Sequence, residues 1–454
     1  MTTSSVGLTA TPGVRRWRWG KPALAVACAV VFLWPVAMVA VGAFRTSLPG
    51  TPGGWTAGPL VQTYTTAETY VVIWQTIALA VSVTVASTLI ALFFAWLVAR
   101  TDTPLRRLVT PMMGLVLATP PMFFAISWAM LGNERGGLLN RLYMALTGSE
   151  AALFNVESWS GLILVGSVKA ASFSYFLLLG PFLAIDRSLE EAAQTAGAGR
   201  ARTFFGIHLP LLTPAISGSA VLTMIAFLEA FDIPEIIGLP AGIHVIPTRI
   251  YSFINATYGG QYGMASSLAI SLMLMVVLLV VLQWKAVGRR SFTTVSGKSY
   301  RTERMALGRV RWLCTAGIVA YALLALVFPL VQLYLGSFQS FFGLYRDYTL
   351  DNYLAVLDDP DVVSALQNTA LLAVLGGFVT MLVCTVLAAV LRRGGGLADR
   401  FIGLCVWMPM ALPGIVLGLG IMWSFLSVPG LNQLYATIWI LLVGLFIGAV
   451  PVGM

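Results

Sequence analysis

Long apolar runs alternate with short polar stretches along the chain. A helix needs about 20 apolar residues to cross roughly 30 Å of hydrocarbon. Runs of that length at 22–44, 70–99, 108–131, 160–184, 212–236, 262–284, 312–335, 366–391, 401–427 and 436–454 predict ten membrane-spanning helices. Continuous runs containing Leu, Ala and Gly argue against a β-barrel, whose strands are short and alternate apolar with polar positions. One polar interval stands out: EEAAQTAGAGRARTFFGIHLP, residues 190–210, lies between the fourth and fifth runs and is rich in alanine and glycine. Residues 189–196 are good helix formers, Gly197 suits the left-handed turn that ends a helix, and 201–208 form a second short helix at an angle. Leu209 and Pro210 then open the next span, proline being tolerated in a first helical turn. The pattern predicts helix, hinge, helix.

Composition agrees with a bilayer environment. A mean hydropathy of +0.87, with 58% hydrophobic and 10% charged residues in 454, gives more apolar surface than a water-facing globule hides in one core. Charge placement gives the orientation. Twenty-one of the 27 Lys and Arg fall in 15–21, 100–107, 187–202, 285–311 and 392–400, all on one side if every run crosses. The positive-inside rule makes that side, and the N-terminus, cytoplasmic. The +9 net charge is therefore topological: 285–311 is too short for a folded basic domain, which excludes a nucleic-acid partner and suits a linker facing lipid headgroups. Cys28, Cys314, Cys384 and Cys405 all fall within predicted spans without paired spacing, so no disulfide or zinc framework is expected.

The two halves repeat each other. Pro35, Gly42 and Phe44 recur as Pro329, Gly336 and Phe338; QTIALA from Gln75 recurs as NTALLA from Asn368; Arg100 maps to Arg393, Pro120 to Pro413, and LNRLY at 139–143 to LNQLY at 431–435. The offset stays between 292 and 294. Each full copy holds six spans, an even number, so the copies enter the membrane in the same sense, as parallel repeats about an axis along the membrane normal. The expected organisation is a cytoplasmic tail (1–21), a first transmembrane domain (22–284), a basic linker (285–311) and a second transmembrane domain (312–454). Aligning LILVG at 162–166 with ILLVG at 440–444 sets Met454 opposite Phe176. The second copy is accordingly expected to be incomplete, lacking on the order of 110 residues by analogy with the first. The alternative is a natural ten-span protein.

The polar interval resembles the EAA loop of ABC-type importer permeases. Glu191, Ala192 and Ala193, then three residues, Gly197, nine residues, Ile207, one residue, Leu209 and Pro210 match that pattern position by position. The resemblance implies an all-α polytopic membrane protein, with tandem parallel repeats of the six-helix type I permease domain, in a bacterial inner or plasma membrane. It implies that the loop is a coupling helix seated on a cytoplasmic ABC ATPase, with two such ATPase subunits and an external solute-binding protein as partners. No cofactor belongs to this chain; ATP with magnesium belongs to the ATPase. The chain is thus expected to be a permease, not an enzyme. Residues 227–251, FLEAFDIPEIIGLPAGIHVIPTRIY, look most like fused permeases of ferric iron uptake, while thiamine, polyamine and phosphonate importers share the architecture. A transporter with two ATPases needs two such loops, and only the first falls within these residues, which predicts that the chain as written is incompetent for transport or badly impaired.

Ionisable residues within apolar runs are costly, roughly 2.5–3.5 kcal/mol each on insertion scales, and tend to face a partner or cavity. Lys169 in the fourth run and Glu229 in the fifth lie at similar depth, and an ion pair between them is one reading. Asp232 and Glu235 follow Glu229 at three-residue steps, which on a continuous helix sets all three on one face near the outer mouth. That face either lines a pathway or holds ordinary interfacial acids. SGKS at 296–299 imitates the end of a phosphate loop, but Phe292 stands where its first glycine is required and no strand precedes it. His208 and His244 are the only histidines, and no nucleophile has a base beside it. A gradient-driven secondary transporter or channel is the rival class. It wants buried relays and broken helices around a midplane site, and needs no ATPase-docking loop.

Overall fold

The structure is a computed structural model that describes residues 20–186, 188–257, 259–287, 305–341, 343, 345–392 and 396–454. The side chains of Glu190, Glu191, Gln194, Arg200, Ala201, Trp284, Ala286, Val287 and Ala411 lie outside the description. So do residues 1–19 of the N-terminal tail, Arg187, Arg393 and the linker stretch 288–304 with its SGKS sequence. The described chain is helical. Beyond its helices it carries two isolated bridges, Arg45 with Trp55 and Thr101 with Met305.

Seven helices are long and apolar enough to cross a membrane, and two bent pairs bring the number to nine among the described residues. In chain order the main elements are α1 (Gly20–Gly42), α2 (Ala67–Arg100), α3 (Arg106–Ala118), α4 (Pro121–Gly132), α5 (Trp159–Ala184), α6 (Ser188–Thr195) and α7 (Phe204–Leu228). They continue with α8 (Tyr262–Val287), α9 (Val310–Ser337), α10 (Pro360–Leu391), α11 (Leu397–Trp407), α12 (Gly414–Ser427) and the shorter apolar α13 (Ile438–Gly453).

Proline shapes these helices in two ways. Within a helix it removes an N–H and crowds the carbonyl one turn back. The backbone answers by widening to a π-turn just upstream. The N–H groups of Trp34, Leu209 and Phe328 reach back five residues to Ala29, Phe204 and Leu323, immediately before Pro35, Pro210 and Pro329. At a helix end, proline drives the preceding residue out of helical conformation. Thr119 has ψ 125° before Pro120, Pro120 has ψ 136° before Pro121, and Leu412 has ψ 125° before Pro413. There the runs expected as single spans at 108–131 and 401–427 turn sharply: α3 and α4 diverge by 97°, and the helices flanking Pro413 by 113°. The repeat landmark Pro120/Pro413 is a corner, not a kink. The fifth span is shifted too. It occupies Phe204–Leu228, not 212–236, because the second arm of the polar interval runs into it without a break.

The chain forms two compact units that cut across the sequence repeats. One gathers residues 1–63, 253–273 and 361–454, the other 64–252 and 274–360. In the first, α1 packs on α11 and α12. A Cβ on Gly420 of α12 would lie 2.3 Å from the Pro35 carbonyl oxygen, and one on Gly42 would lie 2.5 Å from Trp423 Nε1, so the backbones approach closely only because both are glycine. Lys21 closes one end of this contact, 2.9 and 3.1 Å from the two carboxylate oxygens of Asp399. Cys28, Phe32, Leu387, Ile402, Cys405 and Val450 share its apolar core. In the second unit, α2, α5 and α7 pack together around Gly166, whose Cβ would meet Phe227 at 2.5 Å and Val83 at 3.0 Å. The hydroxyls of Ser174 and Thr223 pair nearby at 2.8 Å. α9 joins this unit: the Tyr321 ring meets Phe94 at a tilt of 58° with ring centroids 4.9 Å apart and its hydroxyl donates to the Val168 carbonyl at 2.8 Å. The first span of each sequence repeat therefore packs within the unit built mainly from the other repeat.

Candidate functional site

The polar interval folds as an elbow. α6 is the first arm, and its end is a Schellman closure, in which the Ala198 N–H donates to the Ala193 carbonyl at 2.9 Å while Gly197 takes φ +81°. No heavy atom lies within 4 Å of where a Gly197 Cβ would stand, so backbone conformation alone demands glycine there. The second arm begins at Gly199, whose carbonyl accepts from the Thr203 N–H at 3.0 Å, and continues through Arg200–Thr203 into α7. Thr203 and His208 are buried, and Phe204 meets Trp96 of α2 edge-on at 6.1 Å, so the second arm is anchored. The first arm is not: Ala192, Thr195, Ala196 and Gly197 are exposed and Ala193 is half-buried. Ile207 and Leu209 are half-buried and Pro210 is exposed. The Glu191 backbone lies in α6, and its side chain lies outside the described residues.

The base of the elbow holds two residues that sequence reasoning did not mark as functional. Arg100 ends α2, is 4% exposed, and donates through Nη2 to the Phe182 carbonyl at 2.6 Å and the Ile185 carbonyl at 2.7 Å. Asp186, the next residue, accepts from the Ser188 N–H at 3.0 Å and starts α6. Recurrence of Arg100 as Arg393 at the fixed offset is the available signal, and topological charge accounts for it equally well.

Within the membrane, Lys169 and Glu229 do not pair. Lys169 Nζ donates to the carbonyls of Val116, Leu117 and Thr119 at 2.5, 3.2 and 2.7 Å. The ammonium thus caps the C-terminus of α3 at the corner before Pro120, where carbonyls without intrahelical partners and the negative end of the helix dipole meet. Glu229 caps α7 through its backbone, and its half-buried carboxylate has Oε1 without a hydrogen-bond partner. The acidic face is not formed either. The helix ends at Leu228, residues 230 and 231 are not helical, and Asp232 and Glu235 belong to the next helical turn, so the three acids share no continuous helix. Pro234, at the start of that turn, interrupts the register. His244 sits in a loop, its N–H donating to Gln75 Oε1 at 3.1 Å. Among the described residues no cluster of three or more His, Cys, Asp or Glu could hold a metal ion.

Residues 89–287, which include the elbow, match the family described as "Binding-protein-dependent transport system inner membrane component". The molybdenum transport system permease protein ModB of Escherichia coli K12 is 31% identical over 198 residues, covering 42% of this chain and 84% of that protein. The chain belongs to this family. The putative ferric transport system permease protein FbpB 1 of Haemophilus influenzae is 27% identical over 354 residues, covering 75% of this chain and 53% of that protein. The ferric transport system permease protein FbpB of Actinobacillus pleuropneumoniae is also 27% identical, covering 75% and 49%. The chain thus spans about half the length of these ferric-transport relatives. Among solved structures, a bacterial ABC transporter that imports the acidic polysaccharide alginate matches with a TM-score of 0.51 at 18% identity, covering 62% of this chain and 98% of that one. That likeness places the fold among ABC importer membrane chains.

Proposed function

We propose that this chain is the permease subunit of an ATP-driven ABC importer, with the elbow at 188–210 as the seat of a cytoplasmic ATPase. The observation that carries the reading is the exposed first arm, lined by small residues and set at an angle by the left-handed Gly197. Small side chains let another protein's surface come close, and Glu191 offers a carboxylate for a partner's arginine. Ala192 and Ala193 form the close-contact face, while Ile207, Leu209 and Pro210, in the first turns of α7, continue the second arm into the membrane domain. In this reading the N-terminus is cytoplasmic, two ATPase subunits hydrolyse ATP with magnesium, and a solute-binding protein delivers cargo to the outer mouth. Lys169 at the α3 corner and the acids Glu229, Asp232 and Glu235 beyond α7 flank the pathway. Ferric iron is the cargo we favour, because relatives at 27% identity carry that name. The alginate importer has been solved with a periplasmic protein carrying an alginate pentasaccharide, which supports a binding-protein partner here.

The test is retention of the ATPase by the tagged permease. A β-branched residue at φ +81° is strained by about 1–2 kcal/mol. Gly197→Val is accordingly expected to weaken ATPase retention about tenfold while leaving the thermal melting of the membrane domain within about 2 °C. Undiminished retention by the Gly197→Val variant, or none by the native chain, refutes the docking role. Uptake of radioactive ferric iron in cells stripped of other iron routes tests the cargo.

A further inference from the structure

Three segments converge at the end of α2. Arg100 donates to two carbonyls at the end of α5, at 2.6 and 2.7 Å, oxygens that a helix C-terminus leaves without backbone partners. The adjoining Asp186 carboxylate accepts from Ser188 in the first turn of α6, and that bond, helped by the nearby Arg100 charge, holds the carboxyl below the ordinary carboxylate range. From the other side, the Met305 N–H donates to the Arg100 carbonyl at 3.1 Å, the Asp102 N–H to the Met305 carbonyl at 3.2 Å, and the Leu307 N–H to Asp102 Oδ1 at 2.9 Å. The far end of the 285–311 linker is therefore laid beside the same turn.

We infer that Arg100 is the positioning residue of the elbow, tying α5 to α2 so that α6 leaves the membrane domain in one fixed direction, with the linker end braced on the same turn. A buried guanidinium suits the task. It stays charged, so it complements the helix dipole, and its planar Nη2 group presents two donors to two carbonyls at once. An ammonium carries the charge but not the fork. The elbow's first arm has little packing of its own, so its direction depends on its base. This inference rests on the docking function proposed above for its consequence, but not for its geometry.

The experiment places spin labels at Leu108 and Leu189, both exposed, and reads their distance distribution in the full chain alongside ATPase retention. With Arg100→Met the distribution is expected to broaden at least about twofold and retention to fall about tenfold, the scale of losing charge-assisted bonds from a buried site. Arg100→Lys restores part of both. Asp186→Asn, at an exposed position, broadens the distribution less. A variant that only destabilises the fold, such as Gly420→Ala, lowers the melting temperature without broadening the distance. Native-like widths in the Arg100→Met variant overturn the inference; should that variant not fold, native-like widths in both the Arg100→Lys and Asp186→Asn variants do so. Failure of the native chain to retain an ATPase sinks the docking function instead, and the distance measurement still judges Arg100.

Discussion

Replacing Lys169 with methionine is expected to cost the membrane domain about 3–5 kcal/mol, the range found when one partner of a desolvated charged contact is removed. Three carbonyls at the end of α3 would lose their common donor at a corner where the backbone supplies no other. Lys169→Arg should keep most of the stability, because a guanidinium also reaches several acceptors. Glu229 behaves differently. Its carboxylate makes no bond to Lys169, so Glu229→Gln should change stability by less than about 0.5 kcal/mol, and the double variant should show coupling below the same figure. Thermal melting followed by size-exclusion chromatography in detergent measures the native protein and the four variants. A coupling energy of about 1.5 kcal/mol or more would restore the ion pair and remove the capping role. If the α3 corner forms part of the solute pathway, uptake should fall with the Lys169→Met variant and persist with the Lys169→Arg variant.

The Lys169 result shows where sequence stops being informative. A charge in an apolar run was legible, and so was the need for a partner, but charges in a sequence are naturally matched to opposite charges. A helix terminus offers full hydrogen-bonding capacity and a partial negative charge without any acidic residue to betray it. The corner that creates this terminus was half legible. Pro120 and Pro413 were visible as repeat landmarks, yet a proline within an apolar run is as compatible with a kinked span as with a right-angle turn. What separates the two is the extended conformation forced on Thr119, Pro120 and Leu412, whose consequence appears only once both flanking helices are placed. In the elbow the hinge was legible because only one residue type is comfortable at φ +81°. Its second arm was legible as a helix, but the start of the fifth span was not, since the polar residues that marked the interval hid the arm's continuity with α7. Arg100 escapes notice for a similar reason: a basic residue at a span's end is ordinary topology, and only the carbonyls it reaches make it structural.

The exchange of first spans between repeats was invisible in the sequence, although its markers were there. Gly42 and Gly336 are matching repeat landmarks, and each allows a first span to touch a broken one: Gly42 against Trp423, Gly336 against Met130. Their substitution is nonetheless expected to differ. A Cβ at Gly420 would lie 2.3 Å from the Pro35 carbonyl oxygen and 2.9 Å from its carbon, which is backbone and cannot step aside. A Cβ at Gly42 would press on Trp423, whose indole N–H donates to Ser266 at 3.2 Å. At Gly336 the obstruction is the terminal methyl of Met130, at 2.7 Å, and a thioether swings away cheaply. Overpacking costs roughly 1–3 kcal/mol, while alanine in a helix gains up to about 1 kcal/mol over glycine. Gly420→Ala should therefore lose about 2 kcal/mol, Gly42→Ala somewhat less, and Gly336→Ala should come out near zero or slightly stabilised. Melting curves of the three variants under one condition decide it. If Gly336→Ala falls as far as Gly420→Ala, close backbone approach is not what fastens the exchanged span, and the apolar core around Cys28 and Cys405 must carry that contact instead.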